Sequence, residues 1–133
     1  PIVIFDLGTA TTLSVVDKKG NYLGGMIMPG VVVGVEAISN RASQLPHIGL
    51  DAPKRLVGTN TIDCMKSGAI YGNAAMLDGI VERVTEELGE APTVVATGGL
   101  ARVIVPHCRR KIICDDNLML KGLLIVYNKN KRG

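Results

Sequence analysis

The sequence predicts one mixed α/β domain, a five-stranded sheet flanked by helices, and three observations carry that expectation. Short apolar runs separated by glycine and polar turns fill the stretch from Ile2 to Pro29, the pattern of consecutive antiparallel strands. A long series of apolar residues at helical spacing lies between Thr61 and Leu88. Beyond it, two more strand-like runs each lead into a helical segment, as strands connected through helices do.

Taken in order, Ile2 to Phe5 is an apolar strand entering the turn Asp6-Leu7-Gly8, and Thr9 to Val16 is the strand that returns from it. Asp17-Lys18-Lys19-Gly20-Asn21 is a polar turn, and Tyr22 to Met28 is a third strand stopped by Pro29-Gly30. Val31 to Ala42 has apolar positions suited to a buried helix, although its valine-rich start has weak helix propensity. Ser43 to Asn60, with Pro46, Pro53 and Gly58, is the longest loop, and long loops in compact domains often bind ligands. Asn60-Thr61 opens the clearest helix, in which Ile62, Met65, Ala69, Met76, Ile80 and Val84 recur near helical spacing, Asp63 suits the first turn, and Leu88-Gly89 marks the end. Along it Gly68, Gly72, Ala75 and Gly79 form a stripe of small residues, fit either for tight packing inside the domain or for a helix pair across a dimer interface. Thr93 to Thr97 is a strand running into Gly98-Gly99 and a short helix from Leu100 to Val105. Lys111 to Cys114 is another strand, Asp115-Asp116-Asn117 a cap region, and Leu118 to Tyr127 the last helix. The order β-β-β-α-α-β-α-β-α, with an antiparallel start and helix-connected continuation, is that of a ribonuclease H-like domain, and residues 1–133 read as a single one.

Composition narrows the function. With 47% hydrophobic and 20% charged residues the chain of 133 residues is expected to fold around one core. Aromatic residues are 3%, with no Trp and Phe5 the single Phe, so stacking of nucleic-acid bases on aromatic platforms loses its means. The net charge of +3 gathers partly in the tail at Lys129, Lys131 and Arg132, a solvated terminus rather than a nucleic-acid patch. Cys64, Cys108 and Cys114 contain no CxxC pair and read as free thiols of a reducing compartment, the cytoplasm. No apolar run approaches the roughly 18 to 20 residues that span a bilayer. Neither a Walker A pattern nor a GxGxxG fingerprint occurs, which disfavours P-loop and hydride-transfer chemistry. His107, Cys108 and Cys114 fall short of a zinc ligand set, and His47 lacks an evident nucleophilic partner.

Two segments can carry chemistry. Asp6-Leu7-Gly8-Thr9-Ala10-Thr11-Thr12 places a carboxylate at a strand end, then a glycine turn, then hydroxyls and free amides. Such a loop grips phosphate through N–H and hydroxyl donors while Asp6 offers an oxygen to a cation; an ordinary hairpin turn would use the same letters. Ala96-Thr97-Gly98-Gly99-Leu100-Ala101 puts two glycines between strand and helix, where a base or ribose can lie against backbone, or where helix and sheet simply pack closely. Gly24-Gly25 and Pro29-Gly30 stand beside a strand end as a further wall of a cleft, or as turns.

Together with Asn60-Thr61 and Leu120-Lys121-Gly122-Leu123, these segments, in their order and spacing over nearly the whole chain, resemble the C-terminal half of a type III pantothenate kinase. That family belongs to the superfamily of acetate and sugar kinases, Hsp70 and actin, in which two ribonuclease H-like halves enclose a nucleotide. The resemblance implies transfer of the ATP γ-phosphoryl group to pantothenate, giving 4'-phosphopantothenate on the way to coenzyme A. It implies that Asp6 binds an activating potassium ion, that Thr9, with Gly8 and Thr11, contacts ATP phosphate, and that Gly98 and Gly99 approach the adenosine. Thr61 is implied to hydrogen-bond pantothenate, magnesium to accompany the nucleotide, and the protein to be a homodimer. The catalytic base is implied to be an aspartate in a Gly-x-Asp-Arg segment of the first half, next to a first phosphate loop of Asp-x-Gly-Asn-Thr type. Neither occurs here, so the N-terminal half is expected to be a partner in the same or another chain, and this polypeptide alone to be inactive. The alternatives are a kinase of the same superfamily with another acceptor and a non-catalytic regulatory module.

Overall fold

The computed structural model describes residues 1–41 and 46–131. Strands β1 (Ile2–Leu7), β2 (Ala10–Val16) and β3 (Tyr22–Pro29) form an antiparallel meander. Helix α1 (Val31–Arg41) follows, and the expected helix end at Ala42 and loop start at Ser43 lie outside the described residues. Helix α2 (Thr61–Ser67) continues through a π-helical segment (Gly68–Gly72) into α3 (Asn73–Leu88). Strand β4 (Thr93–Thr97) leads to α4 (Ala101–Ile104) and a 3-10 turn (Val105–His107). A two-residue strand β5 (Ile113–Cys114) precedes α5 (Leu118–Asn130). The sheet order is β3-β2-β1-β4-β5, with β4 parallel to both β1 and β5, the mixed five-stranded α/β arrangement expected from the sequence.

Alternation along β1 decides which face is core. Val3, Phe5 and Leu7 are fully buried, and each large apolar side chain so buried contributes about 1.5–3 kcal/mol. Against them the long helix sets Ile70, Ala74, Leu77, Val81 and Val84, spaced four, three, four and three residues apart, joined by Val31 of α1 and Ala101 and Ile104 of α4. The buried stripe therefore starts later than the sequence pattern suggests, since Ile62 is exposed and Met65 and Met76 are only partly covered. Helices α1 to α4 gather on this one face. The other carries Ile4, Asp6, Thr12, Ser14 and Val95 at intermediate burial, with Ile27 83% exposed, and α5 contributes no residue to the core.

The π-helical segment explains itself locally. Asn73 Nδ2 donates to the Ala69 carbonyl at 2.7 Å, satisfying an acceptor that the widened turn removes from the regular ladder. The small-residue stripe points outward. A Cβ added at Gly68, Gly72 or Gly79 would meet nothing within 4 Å, so close packing inside the chain is not what these glycines provide.

Candidate functional site

The parallel pair β1 and β4 ends at Leu7 and Thr97, and both strands run directly into glycines. Asp6, two residues before Gly8, pairs with Thr97 across this seam and with Thr12 on the other side. Its side chain lies on the open face, opposite the buried Phe5 and Leu7. Gly98 closes over it: the backbone there has φ +96°, and a Cβ would lie 2.6 Å from Asp6 Oδ1 and 2.7 Å from the Leu7 backbone. Leu100 N–H donates to Leu7 O at 3.2 Å, tying the second glycine turn to the end of β1. A cavity of about 560 Å³ opens here, lined by Asp6, Thr97, Gly98, Gly99, Arg102, Asp116, Met119 and Leu120.

A second, larger cavity of about 880 Å³ lies between α1 and the α2-to-α3 helix. Its wall is mainly apolar, with Val31, Val35, Ile38, Met65 and Met76, and its polar groups come from Thr59, Asn60, Thr61 and Asn73. Thr61 is set at the first turn of α2 by a reciprocal cap, in which Asp63 N–H donates to Asn60 Oδ1 at 2.9 Å and Asn60 Nδ2 donates to Asp63 Oδ2 at 2.9 Å. Lys66 Nζ contacts both Asp51 carboxylate oxygens at 2.8 and 2.9 Å, and Ser67 Oγ donates to Leu56 O, which together fasten the preceding loop to the helix.

The two cavities share no lining residue, yet the Gly8-Thr9 turn separates them narrowly. Gly30 lines the larger cavity, and a side chain at Gly30 would collide with the carbonyl oxygens of Gly8 and Thr9. The turn behind Asp6 is thus packed directly against the rim of the cavity that holds Thr61.

Of the residues singled out in the sequence, Asp6, Gly98 and Gly99 come together, Gly8 and Thr9 form the adjoining turn, and Thr61 lines the neighbouring cavity. Thr11 stands apart. It pairs with Leu7 on the core side, is 1% exposed, and its Oγ1 has no hydrogen-bond partner among the described residues. Thr12 shares the face of Asp6 instead. Pro29 and Gly30 form wall of the larger cavity, whereas Gly24 and Gly25, opposite Val15 and Ser14 in β3, line a separate, smaller cavity with Leu13, Val84 and Leu88. Sequence reasoning missed Arg102 and Asp116, whose Nε-to-carboxylate contacts of 2.9 and 3.1 Å place an ion pair on the smaller cavity. The pairing, led by its hydrogen bonds, raises the Arg102 pKa. Their separation of fourteen residues gave no local signal. Burial pushes the Cys108 thiol up to about 12, aided by Asp78 and Cys114, which favours its protonated form.

Topology defines a mixed five-stranded α/β domain of ribonuclease H-like order. The chain belongs to the type III pantothenate kinase family, whose profile matches residues 1–83. It is 45% identical over 128 residues to a type III pantothenate kinase of Syntrophus aciditrophicus, covering 96% of this chain and 50% of that protein. With the type III pantothenate kinase of Exiguobacterium sp. strain AT1b it shares 48% identity over 132 residues, 99% of this chain and 52% of the relative. The chain spans about half the length of the curated relatives it matches. Among solved structures, a Baf family transcriptional activator from Campylobacter jejuni superposes with a TM-score of 0.67 at 22% identity, covering 98% of this chain and 59% of that one, a likeness of fold. Among the described residues, no helix is long and apolar enough to cross a membrane.

Proposed function

We propose that this chain is the C-terminal half of an ATP-dependent pantothenate kinase and acts only with the N-terminal half. The observation that carries the reading is the position of the Gly8-Thr9 turn between two cavities, the one beside Asp6 and Gly98-Gly99 and the one that contains Thr61. Phosphoryl transfer needs a donor and an acceptor aligned on either side of a phosphate-holding loop, and little covalent help from the protein. In this reading the adenosine lies along Gly98 and Gly99, the phosphates meet the amides of Gly8 and Thr9 and the Thr9 hydroxyl, and pantothenate occupies the cavity of Thr61. The apolar wall of that cavity suits the gem-dimethyl part of pantothenate, and Thr61, Asn60 and Asn73 suit its amide and hydroxyl groups.

The buried Thr11 is assigned no direct ligand contact, and Thr12 takes its place on the cleft side. Asp6 fits a cation site: its carboxylate sits in a cradle that a Cβ at Gly98 would fill. No three His, Cys, Asp or Glu side chains gather as a metal cluster among the described residues, so a potassium ion at Asp6 would draw its other oxygens from backbone, water or phosphate. Potassium there, and magnesium carried by the phosphates, would neutralise charge on the transferring group. The hydroxyl proton goes to a base from the other half, and removal of a positioned base costs about 10² to 10⁴ in rate.

The deciding experiment is pantothenate-dependent ATP turnover, in potassium and in sodium, by this chain alone and combined with its N-terminal half. Turnover confined to the combined, potassium-containing sample supports the proposal. A folded combination without turnover removes it, in favour of another acceptor or a regulatory role. Thr61→Val in the active combination should raise the pantothenate KM and leave that for ATP nearly unchanged; equal effects on both would withdraw Thr61 from the acceptor site.

A further inference from the structure

The geometry points to Arg102 as the residue that seats the nucleobase in the smaller cavity, its guanidinium lying flat against the ring while Asp116 holds it in place. The inference rests on reading that cavity as the nucleotide site, and it adds the side chains that recognise the base.

The cavity of about 560 Å³ falls within the range of small-molecule sites, about 300–1,000 Å³, and its two ends differ in chemistry. At one end Asp6 and Gly98 adjoin the turn at Gly8, where backbone amides suit phosphate and a carboxylate suits a cation. The other end holds Met119, Leu120 and the Arg102–Asp116 ion pair. A nucleobase needs a flat surface to stack on, and no aromatic side chain lines this cavity among the described residues. The guanidinium supplies that surface, being planar, delocalised and weakly hydrated. Guanidinium planes stack on bases in this way in single-stranded RNA recognition. Met119 and Leu120 add a polarisable and an apolar wall suited to a ring.

Charge decides between base and phosphate at this end. Arg102 Nε donates to both carboxylate oxygens of Asp116, at 2.9 and 3.1 Å, so the pair is close to neutral. A phosphate approaching the guanidinium also meets a carboxylate, whereas an uncharged ring meets no such opposition. Each partner is presented from anchored backbone. Leu100 N–H donates to Leu7 O at the start of α4, and Asp115 N–H donates to Ala96 O immediately before Asp116. The side chains themselves are 66% and 53% exposed; such a pair contributes little to stability, so its removal tests recognition rather than folding.

Nucleotide affinity is measured by calorimetric titration of the chain combined with its N-terminal half, using ATP, CTP and inorganic tripolyphosphate. Arg102→Ala should weaken ATP about tenfold, weaken CTP less because its ring is smaller, and leave tripolyphosphate unchanged. Arg102→Lys, which keeps the charge and loses the plane, should match Arg102→Ala. Asp116→Ala frees the guanidinium, so the preference for ATP over CTP should shrink while tripolyphosphate binds more tightly. Asp116→Asn keeps an oxygen for Nε and should restore the preference. Thermal unfolding of all four variants should stay close to that of the parent.

Full ATP affinity in Arg102→Ala or Arg102→Lys overturns the proposal and leaves the nucleotide reading standing. An equal loss of tripolyphosphate affinity in Arg102→Ala also overturns it, by making Arg102 a phosphate contact, and an unaltered preference in Asp116→Ala withdraws Asp116 as the positioning residue. A parent combination that binds neither ATP nor tripolyphosphate removes the nucleotide reading and the proposal with it. ATP binding that depends on Arg102 without phosphorylation of pantothenate supports the base seat and removes the acceptor.

Discussion

At Gly98 two separate constraints act on one residue. The positive φ of +96° is strained for any L side chain, and a Cβ would press on Asp6 Oδ1 and the Leu7 backbone. Such a position costs about 1–3 kcal/mol when a side chain is forced into it. At Gly99 a Cβ would meet nothing within 4 Å. Gly98→Ala should therefore lower stability in denaturant unfolding by about 1–3 kcal/mol, whereas Gly99→Ala should change it little and weaken nucleotide binding if adenosine lies against that backbone. Equal destabilisation by both would mean that the turn, not the Asp6 cradle, sets the requirement. Asp6 and the two glycines were legible in the sequence because a carboxylate at a strand end and a double glycine after a strand are local patterns. Thr11 was not, because its role depends on strand parity. The expected turn at Asp6-Leu7-Gly8 is strand through Leu7, and the register Leu7 to Thr11 and Asp6 to Thr12 sends Thr11 to the core.

Elements were legible where periodicity was long and blurred where single contacts decide. Three meander strands, the long helix and β4 follow from apolar spacing and glycine or proline stops. The π-helical segment was hidden, since it changes hydrogen-bond partners without changing composition. Lys111 to Cys114 shrank to the two residues of β5 because the approach to it is held elsewhere: Arg109 N–H and Arg110 N–H donate to the Asp78 carboxylate at 2.8 and 3.0 Å. Hydrogen bonds to a charged group contribute about 1.5–3 kcal/mol, less at an exposed site. Asp78→Ala should cost about 1–2 kcal/mol and speed amide exchange from Arg109 to Cys114, while α3 stays protected; unaltered exchange there would show the tether to be idle. A second contact fixes the start of α5. Lys121, then the Asn117 amide, hold the Asp115 carboxyl below its ordinary value of 3.8. A depressed carboxyl pKa stabilises the folded form above the unfolded value and loses that contribution as pH falls through the folded one. Protection of the first-turn amides of α5, measured relative to their intrinsic exchange rate, should accordingly fall below about pH 4, and in Asp115→Asn it should already be low at neutral pH and change little across this range.

At the scale of the molecule, the stripe of Gly68, Gly72, Ala75 and Gly79 faces outward, and a Cβ at Gly68, Gly72 or Gly79 meets nothing within 4 Å among the described residues. The sequence left the stripe open between internal packing and a helix pair. The open space around Gly68, Gly72 and Gly79 removes the first use, and the dimer becomes the reading to test. A glycine inside a helix costs about 0.5–1 kcal/mol relative to alanine, so the three glycines Gly68, Gly72 and Gly79 on this line are a stability loss that no contact within the described residues recovers. Close approach of a second helix backbone would recover it, and would also cover the 880 Å³ cavity beside Gly68 and Met76. Gly72→Leu separates the two terms, because a Cβ there meets nothing within 4 Å among the described residues and leucine favours the helix. In the combined protein this variant should unfold at the same or a higher temperature than the parent at dilution, while its sedimentation mass falls from dimer to monomer. A variant that remains dimeric with unaltered affinity would place the dimer contact away from this helix, and one that loses stability at dilution would return Gly72 to a role inside the fold.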